Sequence, residues 1–141
     1  MKRFSFELED VLQFRTFEQR QAELALALAL ATEKEIQDRL DALAARQAES
    51  VRQARGSTEL SVIADASRFS AFVRLQSERL LEELSQAKLA SDEKRLALQK
   101  IMQKTDALER LKDEQREEWR LAEDRAEDDA VDDIVTGRFR R

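Results

Sequence analysis

The chain has no cysteine, no histidine and no proline, and only two glycines, Gly56 and Gly137, in 141 residues. Without Cys or His it cannot build a zinc finger, a disulfide framework, a thiol nucleophile or a Ser-His-Asp triad. An α/β or all-β domain needs many short connections, and the turn residues for them are missing. Tyr is absent, Trp occurs once and aromatics make up 6% of the chain, so a compact core is not expected. No window approaches ~18 uncharged apolar residues, the least a membrane-spanning helix needs. The opening Lys2-Arg3-Phe4-Ser5-Phe6 starts like an export signal, but Glu7, Glu9 and Asp10 break its apolar stretch. A cytoplasmic protein is the expectation.

What the chain does have is helix-forming residues. Ala, Leu, Glu, Arg and Lys fill well over half of it, the composition of a coiled coil or long helix. The fold class expected is all-α: two long helices forming an antiparallel coiled-coil hairpin, the second longer and overhanging. A single domain follows, with helix one over residues 5–54, a turn at 55–58, helix two over 59–136 and a short basic tail at 137–141. Ser5 is the expected N-cap of helix one, with Glu7, Glu9 and Asp10 suiting the positive end of its dipole. Gly56 is expected to take the left-handed conformation that ends the first helix, and Ser57 or Thr58 to cap the second. Leu60-Ser61-Val62-Ile63 is locally β-branched, which delays a clean second helix toward Asp65. Gly137 is the expected terminator.

Apolar residues recur at alternating spacings of three and four along both arms. The first seam runs from Leu8 and Leu12 through Leu26, Ala29 and Glu33 to Ile36, Leu40, Leu43 and Ala54. The second runs from Ile63 and Ala66 through Val73, Leu80, Leu84, Ser91 and Lys94 to Leu98, Ile101, Thr105 and Leu108, with Trp119, Ala122 and Ala126 as a weaker continuation. The run at residues 24–30 alternates Leu and Ala with the period of a strand. Both are strong helix formers without β-branching, so the helix reading prevails, with Leu26 and Leu30 on the seam and Leu24 and Leu28 outside. Short connections favour antiparallel neighbours, and pairing out from Gly56 puts residue i roughly opposite 113−i. On that register the first arm ends opposite Leu108, leaving Trp119 without an intrachain partner.

The net charge is −5, and it is unevenly placed: residues 109–135 hold twelve carboxylates against five basic groups. No basic face emerges, which disfavours nucleic acid as a partner. Asp128-Asp129 and Asp132-Asp133 lie on a helix that cannot wrap a hard cation, and no calcium loop or P-loop occurs. The pairs Glu82-Glu83 and Glu117-Glu118 have no cleft to raise a pKa. No cofactor, metal, small-molecule substrate or catalytic residue is expected, and an enzyme is the least favoured class. Phe69 and Phe72 are the informative aromatics of the second arm, Phe69 facing inward and Phe72 beside the seam, with Gln76, Arg79 and Glu83 continuing that flank. Phe72 either folds over the hairpin near its turn or serves as an anchor for another protein.

Taken together, the opening at residues 2–12, the closing segments at 107–119 and 123–134, the single turn and the aromatic pair soon after it resemble the FliJ family of the bacterial flagellar type III export apparatus. The resemblance spans essentially the whole chain. It implies a small antiparallel coiled coil shaped like the central stalk of rotary ATPases. It also implies binding to the hexameric export ATPase, to the cytoplasmic domain of the export gate and, in some members, to chaperones of export substrates. Membrane association would come only through those partners. The ring-binding end would map to Phe4, Phe6, Leu8, Leu111 and Trp119. The gate-binding surface would map to Phe69, Phe72, Gln76, Arg79 and Glu83, facing Asp38, Ala42, Ala45 and Glu49 on the first arm. A coiled-coil adaptor or homodimeric scaffold is the rival reading, because polar seam positions such as Arg15, Gln19, Glu33, Gln47 and Lys94 set register between chains as well as within one.

Overall fold

The computed structural model describes residues 2–140. Two helices, α1 (Glu9–Arg55) and α2 (Leu60–Phe139), pack against each other as an antiparallel hairpin, and at 80 residues against 47 the second is much the longer. No strand occurs among the described residues. The alternating Leu and Ala of residues 24–30 are helical, with Leu24 and Leu28 exposed and Leu26 and Leu30 half-buried. No described helix is long and apolar enough to cross a membrane.

The turn, residues 56–59, is as short as expected and less special in conformation. No glycine has a positive φ, so Gly56 does not adopt the left-handed state. Ordinary hydrogen bonds end α1 instead: Gly56 N donates to the Arg52 carbonyl (3.2 Å) and Ser57 N to that of Ala54 (3.3 Å). Ser57 Oγ accepts from Glu59 N (3.1 Å), and the Glu59 carbonyl accepts from Ile63 N (3.3 Å). Both bonds draw residues 57–59 into the start of α2, which therefore begins at Leu60 rather than near Asp65 despite its β-branched residues. At the other end α2 runs through Gly137. A glycine costs an isolated helix position only about 1 kcal/mol, too little to stop a helix of this length.

The chain divides into two compact units: one holds the described residues of Met1–Arg20 and Gln99–Arg141, the other Gln21–Leu98. They are called the terminal unit and the turn unit below. In the turn unit the core is aliphatic: Ile36 of α1 meets Leu80 and Leu84 of α2, flanked by Leu40, Leu43 and Ala87. This burial is the main stabilising contribution, because helices of such polar sequence are held by their packed face rather than by propensity alone. A hydrogen bond also crosses that seam. Ser91, fully buried, donates its hydroxyl to the Glu33 carboxylate.

The contacts between the helices also show the register. Pairing about Gly56 would set Ile36 opposite Ser77 and Glu33 opposite Leu80, whereas Ile36 meets Leu80 and Leu84 and Glu33 reaches Ser91, so the turn is centred beyond Gly56 and the pairing shifts along α2. Of the expected seam positions, Ile63 and Lys94 on the second arm and Leu8 on the first are exposed, and Val62 beside Ile63 is half-buried. Most of the expected first seam, including Leu12, Leu26, Ile36 and Leu43, is buried or half-buried. In the terminal unit the buried residues are Phe6, Leu12 and Thr105. The Thr105 hydroxyl donates to the Ile101 carbonyl of its own helix (3.0 Å).

Candidate partner-binding sites

The terminal unit opens with an irregular segment. Residues 2–6 are not helical, so Ser5 does not cap α1. The Phe6 carbonyl accepts from Glu9 N (3.1 Å) and the Leu8 carbonyl takes the first helical bond, from Leu12 N (2.9 Å). The Phe6 side chain is buried, which fixes the angle at which the segment meets the helix. Glu9 and Asp10 then lie in the first turn, where the helix dipole favours negative charge. Glu9 also reaches across to Lys112 of α2, with Oε2 2.8 Å from Nζ.

This irregular entry brings Phe4 to Trp119. Their ring centroids are 6.1 Å apart at an interplanar angle of 56°, a tilted arrangement suited to aromatic quadrupoles. The Arg116 guanidinium lies over the same Phe4 ring at 5.6 Å. The expectation that Trp119 lacks an intrachain partner is therefore incorrect. It fails because the true register carries the first arm past Leu108, with Glu9 at Lys112, and the non-helical residues 2–6 extend it to Phe4 at Trp119. Of the five residues expected at the ring-binding end, Phe6 is buried, Phe4, Leu111 and Trp119 are half-buried, and Leu8 is exposed. Among them the structure brings Phe4 and Trp119 into ring contact.

The uncovered part of α2 begins later. Every residue from Asp124 to Arg140 is exposed, including Ala126 of the weaker seam continuation. Val131, Ile134, Val135 and Phe139, spaced like one face of a helix, expose between 46% and 87% of their surface. The sequence reading missed them because it scanned for a continuation of the second seam, and these residues lie on a different face. Phe14 and Phe17 on α1 were also passed over; each is more than half exposed. Their three-residue spacing was the available signal. The acidic residues of this segment form no group of three or more that could hold a metal among the described residues.

In the turn unit, Phe69 and Phe72 stack with centroids 6.2 Å apart and planes 26° from parallel. The Arg46 guanidinium of α1 lies over the Phe69 ring at 5.6 Å. Phe69 is half-buried and Phe72 is 49% exposed. Beside Phe72 is an open cleft of about 350 Å³ lined by Arg39, Ala42, Leu43, Arg46, Phe72, Gln76 and Leu80. Of the expected gate-facing residues, Phe72 and Gln76 line it; Arg79 and Glu83 are exposed farther along α2. On the α1 side Ala42 joins the cleft, whereas Asp38 lines a neighbouring hollow of α1 with Lys34 and Glu35. Arg39 and Arg46, each one residue on from Asp38 and Ala45, line the cleft in their place, so the α1 face beside Phe72 is turned by about 100° from the expected one.

Ionisable groups elsewhere are ordinary surface pairs. Arg120 holds Glu117 with two hydrogen bonds, 2.6 and 3.1 Å. That bonding, aided by the guanidinium charge, lowers the Glu117 pKa and raises that of Arg120.

Comparison with known proteins returns one family. The model of the flagellar FliJ protein matches residues 4–141, from the irregular aromatic entry through the whole hairpin. Comparison with curated proteins and with solved structures gives no match. A match over nearly the full length, on a two-helix hairpin with a longer second helix, is decisive: the chain belongs to the FliJ family and is a component of the bacterial flagellar protein export apparatus.

Proposed function

We propose that the chain is a non-enzymatic, stalk-like coiled coil that binds the export ATPase ring through its terminal unit and the cytoplasmic domain of the export gate through its turn unit. It reaches the inner membrane only through these partners, and export chaperones are further candidate ligands. One observation supports the ring contact most: α2 continues past its last partner on the N-terminal segment with an exposed apolar face, Val131, Ile134, Val135 and Phe139. A helix this polar gains little by itself from such a face, and burying it on another protein is the favourable outcome. Phe4, Phe6 and Trp119 then act one step back, by fixing the base from which the free segment projects.

The chain supplies no catalytic group. Its effect on hydrolysis comes from binding some conformations or assemblies of the ring better than others, since a ligand equal toward all states shifts none of them. The test is ATP hydrolysis by the purified export ATPase with the full chain and with a chain ending at Glu123, which keeps the Phe4–Trp119 contact. Stimulation by the full chain and its loss in the shorter one is the expected result. Equal stimulation by both rejects the role of the free segment.

The exposed Phe14 and Phe17 favour a second reading, a homodimeric scaffold joined through α1. Sedimentation velocity over a dilution series separates the two: a concentration-independent monomer removes the scaffold.

A further inference from the structure

The turn-unit cleft has a chemistry of its own. Its floor is apolar, made by Leu80, which is buried, and Leu43, which is half-buried. The small side chain of Ala42 leaves the space, and Phe72 forms the wall. Its charged lining consists of two arginines, Arg39 and Arg46, and no carboxylate. They are seven residues apart on α1, two helical turns, so both stand on the same rim.

Arg46 sits on an aromatic base. Its guanidinium lies over the Phe69 ring, which in turn stacks on Phe72. Such a contact engages the guanidinium's charge and not its N–H donors, which can grip a carboxylate with two parallel bonds. Arg39 is engaged by Glu35 at 2.8 Å, but both side chains are about 60% or more exposed, and such pairs exchange readily. The other α1 carboxylates of this stretch have partners of their own: Asp38 lies 3.7 Å from Lys34, Asp41 accepts from Gln37 and Glu49 pairs with Arg52. On α2, Arg79 and Glu83 follow Gln76 and offset each other.

We propose that this cleft takes an acidic segment of a partner protein, an apolar side chain entering beside Phe72 and an adjacent Asp or Glu carboxylate meeting Arg46 and Arg39. The inference rests on the reading that the turn unit carries a docking surface, and it names the chemistry of what docks. A basic or neutral segment would cover Arg46 and strip its water without replacing it. Nucleic acid needs a track of cations, and two arginines on a chain of net charge −5 do not make one.

The experiment is an NMR titration of the full chain with three twelve-residue peptides that share one central Phe, flanked by Asp and Glu, by Ser and Gln, or by Lys. A fourth acidic peptide has Ser in place of Phe. The acidic Phe peptide is expected to bind about tenfold or more tighter than the others, more weakly as salt rises, with shifts at Ala42, Arg46, Phe72 and Gln76. The double variant Arg39→Gln/Arg46→Gln, both at exposed positions, is expected to lose that advantage with helicity unchanged. Equal binding of the Lys or Ser/Gln peptide, or no effect of the double variant, overturns the proposal. A parallel measurement uses the export gate's cytoplasmic domain. Gate binding lost in Phe72→Ala but untouched in the double arginine variant supports gate docking and overturns the acidic-segment inference. Selective peptide binding without gate binding does the reverse.

Discussion

The two units solve the same problem, joining α1 to α2, with different materials. The turn unit uses aliphatic side chains at heptad spacing: Ile36, Leu80 and Leu84, with Leu40, Leu43 and Ala87 beside them. The terminal unit has fewer such residues and relies on a non-helical segment whose Phe6 is buried and whose Phe4 meets Trp119 and Arg116. Where a periodic seam is available, burial of regularly spaced methyl groups suffices. Where it thins out, a short irregular piece with two aromatic rings takes its place, and the ion pair Glu9–Lys112 ties the helices together nearby.

Leu84→Ala should be the most damaging change. It empties a buried position of the turn-unit core and should cost about 3 kcal/mol, read as a lower urea midpoint in circular dichroism. Leu89→Ala, on the exposed face of the same helix, should stay within about 0.5 kcal/mol. If the two variants unfold alike, the aliphatic seam is not what holds this unit.

Phe4→Ala tests the other material. Loss of the tilted ring pair and its area should cost about 1 kcal/mol. Trp119 emission should move to longer wavelength and become more accessible to acrylamide. A Trp119 signal that does not change would mean that the aromatic closure contributes nothing in solution.

Gly56→Ala probes the turn between the helices. A Cβ there would meet only the Arg52 and Gln53 carbonyl oxygens, at 3.7 and 3.8 Å, which is ordinary contact. With no positive φ to preserve, the substitution should stabilise by about 0.5 kcal/mol through a stiffer unfolded chain. A loss of about 1 kcal/mol instead would be the signature of a left-handed residue.

The smallest effect belongs to the surface pair of the terminal unit. Arg120 lowers the pKa of Glu117 in the folded chain, so the pair's support is present above the carboxyl's unfolded value. It is lost as pH falls through the folded one. In Arg120→Gln, an NMR titration of the Glu117 carboxyl should move upward toward its ordinary value, with little change in overall unfolding because both groups are exposed.

Much of this architecture could be read from residues alone, and the reason is local. Leu12, Leu26, Ile36 and Leu43 announce the buried face of α1 through spacing, and the scarcity of Gly and absence of Pro leave few alternatives to two helices and one turn. The pairing between helices was harder to read, because register depends on where the turn is centred, and a few residues there displace every facing pair. The Phe4–Trp119 contact had no periodic signal: it arises from a segment that is not a helix. The cleft at Phe72 was half legible. Phe72 and Gln76 follow from the helical wheel of α2, but Arg39 and Arg46 depend on which face of α1 lies beside them.

Glu33 and Ser91 bear on how that register is kept. Sliding α2 by one heptad in either direction would replace the hydroxyl facing this carboxylate with Leu84 or Leu98, stranding an acid against hydrocarbon. Leucines alone tolerate such slippage, since one methyl-rich layer resembles the next. A single hydroxyl–acid couple thus acts as a detent, penalising neighbouring alignments more than it strengthens the native one.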